Sequence, residues 1–302
     1  MQHTRHDGAF PLPPHLEARC RRYAEAKYPV LILGPPGVGK TTLARRMHAL
    51  SGRSGEFILC SMAGVPANLE NSHLAGHRRG AFTGAHTDRA GPIELAHRGT
   101  LFLDELALAT PRVQEILLQL LDDGTLSRVG EVRARPVDVR LIAATNADLP
   151  AMREAGVFRA DLLGRFGYLT LQIPPLAARR ELIIPLVEFY LAECSRELGR
   201  TPVPVCSADL RDCLVRAPWH DNIRQVQALC RYLVLNWETD FMLHVADLPL
   251  AFLSESQIDP ADFDLPYVER IHEVLRRTGG NKTRAARLLG ISRSTLYRLL
   301  VG

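Results

Sequence analysis

The residues best suited to chemistry lie at positions 34–42, which read Gly-Pro-Pro-Gly-Val-Gly-Lys-Thr-Thr. Glycines let backbone N–H groups curl around phosphate oxygens, while a lysine and the hydroxyl residue after it supply a cation and a magnesium ligand. This spacing predicts a phosphate loop for ATP and Mg²⁺, with Lys40 on the phosphates and Thr41 on the metal. The predicted ATP-binding residues are Gly34, Pro35, Pro36, Gly37, Val38, Gly39, Lys40, Thr41 and Thr42.

A second group of polar residues follows two apolar runs further along the chain. Asp104 and Glu105 come directly after Leu-Phe-Leu at 101–103, and Thr145 and Asn146 end the run at 139–144. Asp104 is predicted to bind Mg²⁺, Glu105 to activate water, and the Thr-Asn pair to contact the γ-phosphate. Neighbouring carboxylates can also cap an element, and a loop asparagine can bond only locally. The phosphate loop makes ATP hydrolysis the favoured interpretation.

These groups need a parallel sheet to bring them together. Short apolar runs at 29–33, 57–60, 100–103 and 137–144 predict strands, and helical patterns at 39–50 and 111–122 separate them. That alternation is typical of an α/β fold with a parallel sheet. Beyond Pro174 the patterns at 179–199, 208–216 and 222–235 are helical, which predicts an all-helical subdomain. The predicted division is 1–15 extension, 16–174 α/β ATPase subdomain, 175–253 helical subdomain, 254–264 linker and 265–302 helix-turn-helix module.

Composition places the chain among globular proteins without membrane spans. Its 302 residues are 46% hydrophobic and 23% charged, and no apolar stretch approaches the ~20 residues of a spanning helix. The N-terminus lacks an apolar run with a cleavage site, which favours a cytoplasmic location. Six scattered cysteines without a Cys-x-x-Cys pair indicate ordinary thiols rather than a zinc or disulfide framework.

Charge is concentrated at the C-terminus. Eight basic and two acidic residues fall within 267–302, although the whole chain carries only +4. The stretch 281–300 reads as two short helices broken at Gly290, with Ser292 suited to cap the second. These features predict a DNA-binding helix-turn-helix, and a plain helical hairpin is the alternative. The predicted DNA-contacting residues are Lys282, Thr283, Arg284, Arg293, Ser294, Thr295, Tyr297 and Arg298.

Gly80-Ala81-Phe82-Thr83-Gly84-Ala85 lies between the phosphate loop and the carboxylates. This hexapeptide resembles the GAFTGA loop of bacterial enhancer-binding proteins, the NtrC- and PspF-like AAA+ activators of sigma-54 RNA polymerase. Further matching segments stand in the family's order, and the C-terminal module resembles a Fis-type helix-turn-helix. They lie at 99–105, 137–146, 158–162, 174–176 and 219–224.

The resemblance implies a AAA+ ATPase that assembles from dimers into a hexameric ring and opens promoters held by the sigma-54 RNA polymerase holoenzyme, while its C-terminal module binds enhancer DNA. Residues 80–85 would contact sigma-54, chiefly through Phe82 and Thr83. Arg159 and Arg165 are similar to arginine fingers that reach a neighbour's γ-phosphate, and Arg224 to the sensor arginine of the helical subdomain.

The sequence departs from the family pattern at several positions. Ser61 stands where the family often has an asparagine that restrains the catalytic glutamate, and His73 stands where a glutamate is usual. His220-Asp221 replaces Pro-Gly, and Gln225-Val226 replaces Glu-Leu. None of these changes removes a phosphate-handling group, so ATPase activity is still expected.

Two other functions share parts of this pattern. One is a DNA-bound regulator of the same family that has lost remodelling, and the intact hexapeptide with its Thr83 argues against it. The other is a AAA+ remodeller of DNA such as a helicase or clamp loader, which gives no reason for the hexapeptide. About fifteen residues precede Leu16, too few for a sensing domain, which generally needs ~40. Control by a partner protein in trans, or by regulated expression, is therefore expected.

Overall fold

The computed structural model describes residues 12–66, 68–237, 242–255, 271, 274–276, 278–288 and 296. The chain divides into two compact units, Met1–Pro174 and Pro175–Gly302. Within the described ranges no helix is long and apolar enough to cross a membrane.

The first unit is an α/β layer structure built on a five-stranded parallel sheet. Its strand order is β2-β5-β8-β1-β9, so β8 lies between the two strands that precede the phosphate loop and the carboxylates. The strands are β1 (Val30–Leu33), β2 (Phe57–Ser61), β3 (Gly76–His77), β4 (Arg89–Ala90), β5 (Thr100–Asp104), β6 (Thr125–Leu126), β7 (Arg135–Pro136), β8 (Arg140–Thr145) and β9 (Thr170–Gln172). The helices are α1 (Pro14–Glu25), α2 (Lys40–Leu50), α3 (Glu70–Ala75), α4 (Pro92–Leu95), α5 (Pro111–Asp123), α6 (Leu149–Glu154) and α7 (Ala160–Phe166).

Burial on both faces explains why the central strands read as continuous apolar runs. All six residues of β8 are buried, and Leu101, Phe102 and Leu103 of β5 are fully buried. Alternate residues enter two separate cores: Leu101 and Leu103 pack with α3, α5 and α7, while Phe102 packs with α1 and α2. Helices on both faces are the usual cover of a parallel sheet. The polar residues that end these strands consequently share one edge of the sheet.

Two short antiparallel hairpins extend from this unit. β3 pairs with β4 below the hexapeptide, and β6 pairs with β7 after α5. Backbone bonds join the hairpins, because Val129 donates to the Gly76 carbonyl and Arg78 donates to the Val129 carbonyl, both at 3.0 Å. The β3–β4 hairpin, which carries the hexapeptide, is therefore supported by the β6–β7 hairpin.

The second unit is mainly helical. It contains α8 (Ile183–Glu197), α9 (Ala208–Arg216), α10 (Asn222–Asn236), α11 (Leu250–Glu255) and α12 (Lys282–Leu288). Two corrections to the sequence prediction arise here. Val205–Cys206 and Met242–Leu243 form a parallel pair of strands, β10 and β11, which are too short for a period-2 pattern to reveal. The predicted linker also starts too early, because α11 continues through Ser254 and Glu255.

Candidate functional site

The phosphate loop connects β1 to α2 through backbone conformations that favour glycine. Gly34, Gly37 and Gly39 have φ angles of 155°, 72° and 100°. A Cβ at Gly34 would lie 2.6 Å from the Ile173 carbonyl oxygen, so only glycine fits there without movement of the backbone. Gly39 is the N-cap of α2, and no side chain caps this helix. The N–H groups of its first turn are thus suited to bind an anion.

Lys40 is held inside this loop. The residue is 7% exposed, and its Nζ donates to the carbonyl oxygens of Gly34 at 2.8 Å and Pro35 at 3.2 Å. Thr41 and Thr42 follow on the first turn of α2 and are half-buried, while Val38 is fully buried and Pro36 is exposed. The loop combines positive-φ glycines, an uncapped helix and a buried ammonium group. This donor set fits the phosphates of a nucleotide.

Three adjacent strands end beside this loop. Gly34 donates its N–H to the Thr145 carbonyl at 3.3 Å, and β5 lies on the far side of β8. Thr145 is fully buried and its hydroxyl accepts from the Ala147 N–H at 3.0 Å, whereas Asn146 is exposed. The structure therefore places the predicted Thr-Asn pair between the phosphate loop and the carboxylate strand.

Asp104 and Glu105 are half-buried at the carboxyl end of β5. Glu105 has a left-handed backbone, with φ of 57° and ψ of 49°, and donates its N–H to Asp104 Oδ1 at 3.2 Å. Non-glycine residues rarely adopt this conformation, which is common at functional turns. On the neighbouring strand Ser61 accepts a 3.2 Å bond from the Ala63 N–H. Ser61 pairs in register with Asp104 through the backbone.

The hexapeptide forms the closed end of the β3–β4 hairpin. Gly80 donates to the Ala85 carbonyl at 2.8 Å, and Ala85 donates to the Phe82 carbonyl at 3.0 Å. Thr83 and Gly84 are exposed, Ala81 is half-buried and Ala85 is buried. The Phe82 ring is half-buried and meets His77 edge-on, with ring centroids 5.0 Å apart. Of the two residues expected to contact sigma-54, Thr83 is therefore exposed, whereas Phe82 packs against its own hairpin.

Charged groups clamp the base of both hairpins. Asp88 binds Arg78 and accepts from the Arg79 N–H, and these bonds hold the pKa of its carboxyl below the usual range, the backbone bond contributing most. Glu94 accepts two bonds from Arg128, at 2.7 and 2.8 Å, which likewise lower the pKa of the Glu94 carboxyl. The hairpins are therefore anchored by carboxylates that stay ionised well into acid.

The two arginines that resemble fingers lie at the two ends of α7. Arg159 is its N-cap and donates to Asp161 through Nε at 3.0 Å and Nη2 at 2.8 Å. Arg165 in the last turn lies 2.7 Å from Asp122 of α5. Their side chains are 42% and 54% exposed, so both guanidinium groups are open to solvent while paired within the chain.

One buried polar residue of this region was not anticipated. Gln114 on α5 is 1% exposed, and its amide contacts the backbone at Ala109, Val157 and Arg159. An amide among the apolar positions of an amphipathic helix, beside Val113 and Leu117, is the signal that could have identified it.

Other predicted residues belong to the second unit. Arg224 is exposed on the first turn of α10, whose start is fixed by a 2.7 Å bond from the Leu176 N–H to Asn222 Oδ1. Lys282, Thr283 and Arg284 are exposed on α12, where Asn281 Oδ1 accepts from the Arg284 N–H at 3.0 Å. The remaining predicted DNA contacts lie outside the described residues; they are Arg293, Ser294, Thr295, Tyr297 and Arg298.

Comparison with protein families divides the chain into three matches. The profile of the sigma-54 interaction domain matches residues 14–172, that of the AAA+ ATPase lid domain matches 177–263, and that of the bacterial regulatory proteins of the Fis family matches 268–300. The first match alone covers more than half of the chain.

Individual relatives agree with these families. The Psp operon transcriptional activator of Escherichia coli K12 is 37% identical in an alignment 290 residues long, which covers 90% of this chain and 89% of that protein. The transcriptional regulatory protein ZraR of Klebsiella oxytoca is 41% identical over 90% of this chain, which spans only 62% of ZraR. Among solved structures, NtrX of Brucella abortus in complex with ATP superposes with a TM-score of 0.72 at 30% identity, over 98% of this chain and 69% of NtrX.

Proposed function

Because the chain belongs to the family of sigma-54-dependent transcription activators, we propose that a ring of its subunits hydrolyses ATP and uses the energy to open promoters held by sigma-54 RNA polymerase. The C-terminal Fis-type module would keep the ring near the promoter by binding enhancer DNA. The proposal includes both the homo-oligomer, from a dimer to a hexameric ring, and the remodelling step.

Residues of the first unit would handle the nucleotide. The glycines of the phosphate loop and the first turn of α2 would bind the phosphates through backbone N–H groups, and Lys40 would turn its ammonium group to the β- and γ-phosphates. Thr41 and Asp104 would hold Mg²⁺, which neutralises phosphate charge when bound. Glu105 would accept a proton from the attacking water, and Asn146 would contact the γ-phosphate.

Hydrolysis would require a neighbouring subunit. Arg159 and Arg165 are partly exposed at the two ends of α7, so the solvent-facing side of each guanidinium can reach a phosphate across a subunit boundary. A positive charge supplied in trans stabilises the transition state only after assembly. Arg224 would act as the sensor arginine of the helical subdomain.

One observation carries the coupling of hydrolysis to remodelling. The exposed Thr83 lies at the end of a hairpin in the same unit as the phosphate loop, and helix α3, which leads into that hairpin, packs on α5, the next α-helix after the β5 carboxylates. A nucleotide-dependent movement of this edge can therefore reach the hairpin through packed elements. Residues 80–85 would then press on sigma-54.

Promoter opening with purified components tests this proposal. Closed complexes of sigma-54 polymerase on a sigma-54 promoter should open with the protein and ATP, but not with a non-hydrolysable ATP analogue. Opening with the analogue would show that hydrolysis is not the driving step. Robust hydrolysis and DNA binding without opening would favour a regulator that has lost remodelling.

A further inference from the structure

Gln114 ties together two segments that flank the candidate ATPase chemistry. Its Nε2 donates to the carbonyl oxygens of Ala109 at 3.0 Å and Val157 at 3.1 Å, and its Oε1 accepts from the Arg159 N–H at 2.8 Å. A buried amide costs free energy unless it is hydrogen-bonded, and an apolar residue would fill the same volume without that requirement. The bonds therefore indicate why an amide stands on this helix.

The first segment follows β5, the strand that ends in Asp104. A single 3₁₀ turn, Leu106–Leu108, begins immediately after Glu105, and Ala109 closes it by donating to the Leu106 carbonyl at 3.0 Å. Leu106 is fully buried, so the turn has little freedom to move independently of α5.

The second segment carries Arg159. The N–H groups of Val157 and Phe158 both donate to the Met152 carbonyl, at 2.9 and 3.2 Å, and the Phe158 ring is buried. Arg159 is the N-cap of α7, and its own backbone N–H donates to Gln114 Oε1. The amide therefore fixes the backbone from which the guanidinium extends.

We propose that Gln114 is a positioning residue that sets where the Arg159 guanidinium lies, and thereby governs hydrolysis in the pocket of the neighbouring subunit. This inference rests on the proposed function, in which Arg159 acts in trans. A guanidinium stands at the end of a long side chain, so a small backbone shift displaces it, and ~1 Å of misplacement can cost about 10²-fold in rate. The same amide touches the turn after Glu105, so an effect within the subunit's own pocket is the competing explanation.

Replacing the amide by an apolar side chain of similar length tests whether Gln114 is needed for hydrolysis. Gln114→Met removes both donors and the acceptor, and we expect kcat for ATP to fall by about 10- to 100-fold. The affinity for ATP should change less than about twofold, since the hydrogen bonds that Gln114 makes within the described residues go to Ala109, Val157 and Arg159 and not to the phosphate loop. Gln119→Met on the same helix is the matched control, because Gln119 is exposed and donates a long, 3.4 Å hydrogen bond to Thr125.

Fold and assembly are measured on each variant by thermal unfolding and by mass in solution. If Gln114→Met does not fold, Gln114→Glu replaces it, because its carboxyl group keeps an acceptor for the Arg159 N–H and, when protonated, has one donor in place of the two that bond Ala109 and Val157. We expect Gln114→Glu to retain more activity than a variant without the acceptor, such as Gln114→Leu. Equal activity of the two folded variants would overturn the proposal.

Subunit mixing separates an effect in trans from one in the subunit's own pocket. Lys40→Ala supplies an intact Arg159 but a defective phosphate loop, whereas Gln114→Met supplies an intact phosphate loop. In an equal mixture about one quarter of the interfaces would join an intact pocket to an intact arginine, so ATPase activity should exceed the sum of the two separate preparations. The reference mixture is Arg159→Ala with Lys40→Ala, measured at the same total concentration.

Restored activity in both mixtures is the expected result. Restoration with Arg159→Ala but not with Gln114→Met would overturn the role of Gln114 and leave the proposed function standing. Failure of the Arg159→Ala mixture, with rings intact, would overturn the action of Arg159 in trans and the inference built on it.

Discussion

Arg159 holds Asp161 with two hydrogen bonds, at 2.8 and 3.0 Å, across the first turn of α7. The Arg159 bond also keeps the pKa of the Asp161 carboxyl below its usual range, so the pair stays ionised at neutral pH. Both side chains are partly exposed, and such a pair contributes little to stability. The pair orients the Arg159 guanidinium. The two bonds to Asp161 fix the edge formed by Nε and Nη2, and the opposite edge is directed away from Asp161.

Asp161→Asn should therefore lower catalysis more than stability. The amide keeps the size of the carboxylate but not its charge, so Arg159 loses its preferred orientation. We expect kcat to fall by about tenfold, compared with about 10³-fold for Arg159→Ala. Steady-state ATPase assays at saturating ATP, with thermal unfolding alongside, provide the measurement. An unchanged kcat would mean that Asp161 does not orient the arginine.

Gly34→Ala should disrupt the phosphate loop. The new Cβ would meet the Ile173 carbonyl at 2.6 Å in addition to carrying an unfavourable φ, and we expect a loss of about 3 kcal/mol or more in unfolding free energy. Gly156→Ala is the matched control, since Gly156 has a φ of 70° with no atom within 4 Å and should cost only about 1 kcal/mol. Urea unfolding and ATP binding distinguish the two; similar losses would show that close packing at Gly34 is unimportant.

The six thiols should resist alkylation in the folded protein. All are free and buried, and burial raises the pKa of Cys20 to about 11 and of Cys60 to about 12. At pH 8 about one thiol in 10³ or fewer would be the reactive thiolate at those positions. Iodoacetamide labelling followed by mass spectrometry should modify all six only after denaturation. Rapid labelling of any one in the native protein would contradict its burial.

Lys282→Ala should weaken DNA binding without changing sequence preference. Lys282 is exposed on α12 among the predicted DNA contacts, and a phosphate-binding lysine contributes about one unit to the slope of log affinity against log salt. Titration at several salt concentrations measures that slope. Arg21→Ala, which alters an exposed arginine of the first unit paired with Glu17, should leave it unchanged. The same slope for Lys282→Ala and the unaltered protein would exclude a phosphate contact.

The sequence predicted helices and strands well where the hydrophobic pattern agrees with the residues that start and end an element. The helix expected at 111–122 occupies Pro111–Asp123, because proline starts it and Gly124, with a φ of 62°, ends it. The strand expected at 137–144 begins only at Arg140. Val137 continues the apolar pattern, yet it lies outside the strand, because its N–H donates to the Gly124 carbonyl.

Long-range polar contacts could not be predicted. Arg140 is 2% exposed and donates to the carbonyl oxygens of Tyr23 and Ala24 at the end of α1, although a charged residue at a strand start usually faces solvent. The amide of Gln114 likewise joins residues up to 45 positions away. Neither partner set follows from local periodicity, because both depend on how elements distant in sequence pack.

Promoter opening by Thr83→Ala shows whether the hairpin transmits the energy of ATP hydrolysis to the polymerase. Thr83 is exposed at the end of the hairpin and distant in sequence from the phosphate loop, so its loss should abolish opening of a sigma-54 promoter complex while ATPase activity stays within about twofold. Thr87→Ala, which alters another exposed threonine of the same hairpin, serves as the control and should open promoters normally. Normal opening by Thr83→Ala would mean that Thr83 of this hairpin is not needed to transmit the work of ATP hydrolysis to the polymerase.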